Sequence, residues 1–186
     1  MTTEELTHIK DCIDVALCVC QKEIILFPDI VLSEADLERL LSNIIEVQIQ
    51  GFEPKCIVRN QISHYNTDNT VNARVDIIIM RKEEIIEKDK VNKGFINLES
   101  CFVLELKYLH KAYIRYVEKD IDKRSKIKDK DWLYVVPLFE ESDDDKFKAF
   151  EDKVNDSVRK YKEENPEKKD ILFHRVLRKD KNKYDK

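Results

Sequence analysis

The spacing of apolar residues changes along the chain from a helical to a strand-like period and back several times. Leu6, Ile9, Ile13, Ala16, Leu17, Cys20 and Ile24 recur every three or four positions and predict a helix over 3–24. Phe27-Pro28-Asp29 interrupts it. Ser33 then offers an N-cap, with Asp36 three residues on, for a helix over 34–50 that buries Leu37, Leu40, Leu41, Ile44 and Ile45 and stops at Gly51. Residues 55–65 read as a strand, Asn66 to Thr70 as a turn and 72–80 as a second strand. Residues 81–100 form a polar insertion, read as a hairpin extension, before a third strand over 101–109. A helix over 112–128 (Tyr113, Val117, Ile121, Ser125), a strand over 132–139, an amphipathic helix from Phe147 to Asn165-Pro166 and a strand over 171–177 complete the pattern. The order is α-α-β-β-β-α-β-α-β. It predicts an α/β fold: a single domain over 1–178, with a polar, frayed tail over 179–186.

Two of these strands carry charges where a buried strand rarely has any. Asn72 to Met80 is apolar and β-rich but holds Arg74 and Asp76. Cys101 to Leu109 is similar but holds Glu105 and Lys107. Alternation puts Glu105 and Lys107 on one face and Phe102, Leu104 and Leu106 on the other. If the two strands pair, Asp76 joins Glu105 and Lys107. Two carboxylates and an ammonium on an apolar sheet can hold a hard divalent cation and activate water beside a phosphate.

Composition narrows the picture. The chain has 186 residues, of which 42% are hydrophobic and 39% charged, and only 2 Gly and 4 Pro, which favours long regular elements. No apolar run approaches the roughly 20 residues of a membrane span, and Met1-Thr2-Thr3-Glu4-Glu5 does not resemble a signal peptide. An intracellular protein, cytoplasmic or nuclear, is expected. The five cysteines lack C-x-x-C spacing, so structural thiols are expected rather than a zinc site. The net charge of −4 does not by itself suggest a nucleic-acid binder. The stretch from Lys107 to Lys130 is nevertheless rich in cations, Lys111 and Arg115 among them. It reads either as a substrate-facing surface or as a solvated helix face interleaved with Glu118, Asp120 and Asp122.

Asp76 together with Glu105-Leu106-Lys107 resembles the motif of the PD-(D/E)xK nuclease superfamily, whose restriction-endonuclease-like fold has a mixed central sheet flanked by helices. Val75 stands where the family has its Pro. The family's core order, α-β-β-β-α-β, corresponds to residues 34–139, with an extra N-terminal helix and a C-terminal helix and strand. The resemblance implies a Mg²⁺- or Mn²⁺-dependent nuclease with Asp76 and Glu105 as metal ligands. Lys107 would orient the attacking water or stabilise charge on the phosphate. An acid from the first core helix often joins them, here Glu38 or, failing that, Glu34. Arg74, Lys111 and Arg115 are the candidate phosphate contacts. Tyr113, Lys119 and Lys123 are candidates for a supporting polar residue, and His64 and His110 for a general base. The implied partner is DNA before RNA, with room for a homodimer or a larger defence or mobile-element assembly. The alternative is a catalytically silent nucleic-acid or protein interaction module on the same fold.

Overall fold

A computed structural model describes residues 2–51, 56–65, 71–82, 102–110, 114–123, 132–140, 143–167, 171–174 and 176–179, with only the backbone of 63–65, 71–73 and 123. Most of the expected 81–100 insertion, Lys111, Tyr113 and residues 180–186 lie outside it, as do the side chains of His64 and Lys123.

Helix α1 spans Thr3–Leu26. A capping box starts it: Glu5 N donates to Thr2 Oγ1 at 3.2 Å and Thr2 N to Glu5 Oε2 at 2.7 Å, satisfying two amides that the first turn leaves open. Helix α2 spans Glu34–Ile49. Asp36 N donates to Ser33 Oγ at 3.2 Å, and Asp36 Oδ2 accepts from Ser33 Oγ at 2.9 Å. Gly51 follows with φ +86°, a left-handed value that suits glycine at a helix end. Both helix starts and the stop are therefore chemical, not merely periodic.

Strands β1 (Cys56–Tyr65), β2 (Val71–Arg81) and β3 (Phe102–Leu109) pair antiparallel in sequence. Helix α3 (Ile114–Lys123) leads to β4 (Trp132–Phe139), which pairs parallel with β3, as a crossover helix permits. Helix α4 (Asp144–Glu164) leads to β5 (Ile171–Phe173) and β6 (Leu177–Arg178), both parallel to β4. The result is a mixed sheet of six described strands. The element order matches the expected one up to its last strand.

Each sheet face has its own core. Helices α1 and α2 cover Ile77, Phe102, Leu104, Leu106, Tyr134, Val136 and Leu138, packed with Ile13, Leu17, Leu41 and Ile45. On the opposite face, Val103, Leu133, Val135 and Phe139 pack with Val117, Ile121, Phe150 and Val154 of α3 and α4. The β3 alternation is as the sequence predicts.

The expected single strand over 171–177 is divided in two, and Pro137 gives the reason. His174 N donates to Val135 O at 3.3 Å and Lys179 N to Phe139 O at 2.9 Å, so these odd-numbered groups of β4 face β5 and β6. Pro137 shares that parity and has no N–H to offer. The offset between partners grows from 38 residues (Leu133 with Ile171) to 39 (Leu138 with Leu177), so the pairing register differs by one residue between β5 and β6. The packed chain also runs one residue past the expected tail boundary: Lys179 is buried. No described helix is long and apolar enough to cross a membrane.

Candidate active site

Strands β2 and β3 part at Asp76. Their ladder pairs Ile79 with Phe102, Ile78 with Val103 and Ile77 with Leu104. One step further the register sets Asp76 opposite Glu105. There the Asp76 side chain replaces a backbone acceptor: Leu106 N donates to Asp76 Oδ2 at 2.8 Å. A charge-assisted bond of this kind fixes the carboxylate at the fork. Its second oxygen, Oδ1, faces the Gln61 amide, with Nε2 at 3.5 Å. Glu105 is wholly buried, between β2 and β4.

Gln61 explains how a residue on α2 reaches this point. It sits opposite Asp76 in β1 with φ +56°, a left-handed value in the middle of a strand. The face alternation reverses across this pair. Val58 and Ile77 belong to the core under α1 and α2, while Ile62 and Val75 pack with the core under α3 and α4. The turned Gln61 side chain donates from Nε2 to Glu38 Oε2 at 2.5 Å. Glu38, Gln61 and Asp76 thus form a chain from helix to sheet. Burial pushes the Glu38 carboxyl above the usual carboxylate range. Gln61 opposes that rise, Asp76 adds to it, and Arg74 and Glu34 act more weakly in opposite senses.

Lys107 occupies the other side of the fork. Its Nζ lies 3.3 Å from Asp120 Oδ2 and 3.8 Å from Glu34 Oε1, and donates to Leu106 O at 3.2 Å. Glu34 also accepts from Tyr108 N through Oε2 at 3.2 Å. Of the two acids proposed for the first core helix, Glu38 reaches Asp76 through Gln61, and Glu34 lies beside Lys107.

The remaining candidates are more dispersed. Arg74 is exposed on β2, within electrostatic range of Glu38. Arg115 is exposed on α3 and donates to Tyr116 Oη at 3.2 Å, its guanidinium 5.0 Å from that ring's centre. Lys119 is exposed. His110 Nδ1 lies 3.0 Å from Glu140 Oε2. Glu140 is buried; it also accepts from the Tyr108 hydroxyl and has Lys179 Nζ at 3.5 Å.

Sequence reasoning missed three of these participants. Asp120 reads as one of several acids on a solvated helix, yet it is 2% exposed while Glu118 and Asp122 lie outside. Its position three residues after Val117 and one before Ile121 sets it on the edge of the buried stripe, which was a usable signal. Gln61 gives none, because a polar residue at a left-handed strand position looks like any exposed one. Glu140 is hidden among neighbouring acids.

The donor set suits a hard cation. Among the described residues, no three His, Cys, Asp or Glu side chains are assembled into a metal cage. Mg²⁺, however, is commonly held by one or two carboxylates, with water and substrate phosphate completing its shell. The carboxylates that the register brings to this point of the sheet are Asp76, whose Oδ1 has the Gln61 amide at 3.5 Å, and the buried Glu105. No protein-family model matches the chain, and no curated protein matches it.

Proposed function

We propose that the chain is a metal-dependent phosphodiesterase of the PD-(D/E)xK type, on a restriction-endonuclease-like core of α2, β1, β2, β3, α3 and β4, acting on DNA in the first instance. The observation that carries this reading is the fork: Asp76 is tied to Leu106 N opposite a fully buried Glu105, with Lys107 two residues on. An acid buried on an apolar sheet is costly to maintain for structure alone.

Asp76 and Glu105 hold the ion, and Glu38 adds negative charge beside it through Gln61. A bound Mg²⁺ or Mn²⁺ supplies a water of lowered pKa and offsets charge that builds on the phosphate. Lys107 places a positive charge beside the same phosphate, where a fixed charge acts on the transition state. Arg74 and Arg115 contact flanking phosphates and position the strand without reading sequence.

The test is cleavage of supercoiled, linear, single-stranded and branched DNA and of RNA with Mg²⁺ or Mn²⁺, alongside Asp76→Ala and Lys107→Ala. Metal-dependent cutting by the parent and none by the folded variants is the expected result. No cutting, together with no calorimetric metal binding that depends on Asp76 and Glu105, would overturn the reading and leave an interaction module.

A further inference from the structure

Lys107 has a four-carbon stem with many rotamers, and an amine that is to act on one phosphate oxygen has to be held in place. Three groups hold its Nζ: Leu106 O at 3.2 Å, Asp120 Oδ2 at 3.3 Å and Glu34 Oε1 at 3.8 Å. They are not equivalent. The backbone oxygen belongs to the preceding residue and moves with the strand. The Glu34 side chain is 42% exposed, sits at the longest distance and is already bonded to Tyr108 N. The Asp120 side chain is 2% exposed. It is fixed by α3, which packs into the core through Val117 and Ile121. An ion pair is far stronger in that setting than at a solvated surface.

The cost of this arrangement is the informative point. A carboxylate on the buried side of a short helix has to be desolvated, a cost that a charged partner has to offset. The Lys107 ammonium, 3.3 Å away, is such a partner, and the pair fixes where that ammonium lies. We infer that Asp120 is a positioning residue that holds the Lys107 ammonium at the β2–β3 fork. The inference rests on the phosphodiesterase reading above and deepens it.

The experiment measures kcat, KM and thermal unfolding for the parent, Asp120→Asn and Asp120→Leu on whichever nucleic acid the parent cuts. It also records the Lys107 side-chain ¹⁵Nζ signal, assigned by its loss in Lys107→Arg. Asp120→Asn removes the charge at nearly constant size, so, for an acid that served only the fold, it would lower the melting temperature and leave the kcat of the folded protein unchanged. The expected result is that Asp120→Asn folds with a lowered melting temperature, because Lys107 loses a buried partner, and that Asp120→Leu melts lower still. KM should be unchanged and kcat lowered roughly 10- to 100-fold, the range produced by misplacing a catalytic group by about an ångström. The ordered ¹⁵Nζ signal should be lost in both variants. Folded variants at parental kcat, an effect confined to KM, or failure of both variants to fold would each overturn the role of Asp120 while leaving the nuclease reading intact. A parent that cuts nothing would instead overturn that reading, and this inference with it.

Discussion

At the scale of single residues, the polar groups placed against the sheet differ in what they cost, and two of them give signed predictions. The Glu38 carboxyl is raised above the ordinary glutamate value first by burial and then, against the opposing Gln61 bond, by Asp76. The native state therefore keeps its proton to higher pH than the unfolded chain. The stabilising contribution is fully present below the unfolded value and is lost as pH rises through the native one. In chelator, Glu38→Gln should be more stable than the parent at neutral pH, and the difference should disappear in acid; urea unfolding across pH measures it. A difference that persists in acid would mean that Glu38 is not the group responsible. Tyr134 is buried in the α1–α2 core, and its hydroxyl has no hydrogen-bond partner among the described residues. An unsatisfied buried hydroxyl costs about 1–3 kcal/mol. Tyr134→Phe should recover about 1 kcal/mol of that in a denaturant midpoint, whereas a loss would reveal a partner for the hydroxyl.

At the scale of elements, what was legible in the sequence is what period and caps encode. The long helices, Ser33 as N-cap, the stop at Gly51 and the faces of β3 all follow from spacing and turn chemistry. The division of the last strand was written in the sequence too, but in another strand. Pro137 removes a donor that only its neighbour would notice, so no local reading of 171–177 could find the break. The same holds for the site. Asp76, Glu105 and Lys107 stand out because charges interrupt apolar runs, whereas Gln61 depends on a backbone conformation that its side chain does not announce. That conformation can be tested by the sign of one comparison. In an ordinary strand, Gly is less stable than Ala by roughly 0.5–1 kcal/mol. At a position with φ +56° the order should invert. Gln61→Gly should exceed Gln61→Ala by about 1 kcal/mol, because both lose the bond to Glu38 and only Ala retains the left-handed strain. Chemical denaturation of the pair decides the point, and the ordinary order would mean that β1 runs without a kink at Gln61.

At the scale of the whole molecule, the two helical layers lie on opposite sides of the sheet, and charged groups link elements near the ends of β3, β4 and β6. Lys107 lies between Glu34 of α2 and Asp120 of α3. Lys179, just after β6, donates to Val31 O at 2.6 Å in the connection between α1 and α2, and faces Glu140 at the end of β4 at 3.5 Å. Glu140 in turn accepts from the Tyr108 hydroxyl and has His110 Nδ1 at 3.0 Å, both at the end of β3. The polar composition of 179–186 suggests that nothing there packs. One lysine at its start nonetheless ties the first helical layer to the parallel half of the sheet. Because Lys179 and Glu140 are both buried, removing one partner leaves the other's charge in low dielectric, which typically costs about 3–5 kcal/mol. Tyr108 and His110 still face Glu140, so Lys179→Ala should cost about 3 kcal/mol, at the lower end of that range. Replacing both groups, as Lys179→Met with Glu140→Leu, should restore most of the loss, because no charge is then stranded. Equilibrium urea unfolding of the parent, Lys179→Met, Glu140→Leu and the double variant forms a closed cycle. A coupling near zero would show that Lys179 contributes through Val31 O and its packing alone, and that the C-terminal tie is not electrostatic.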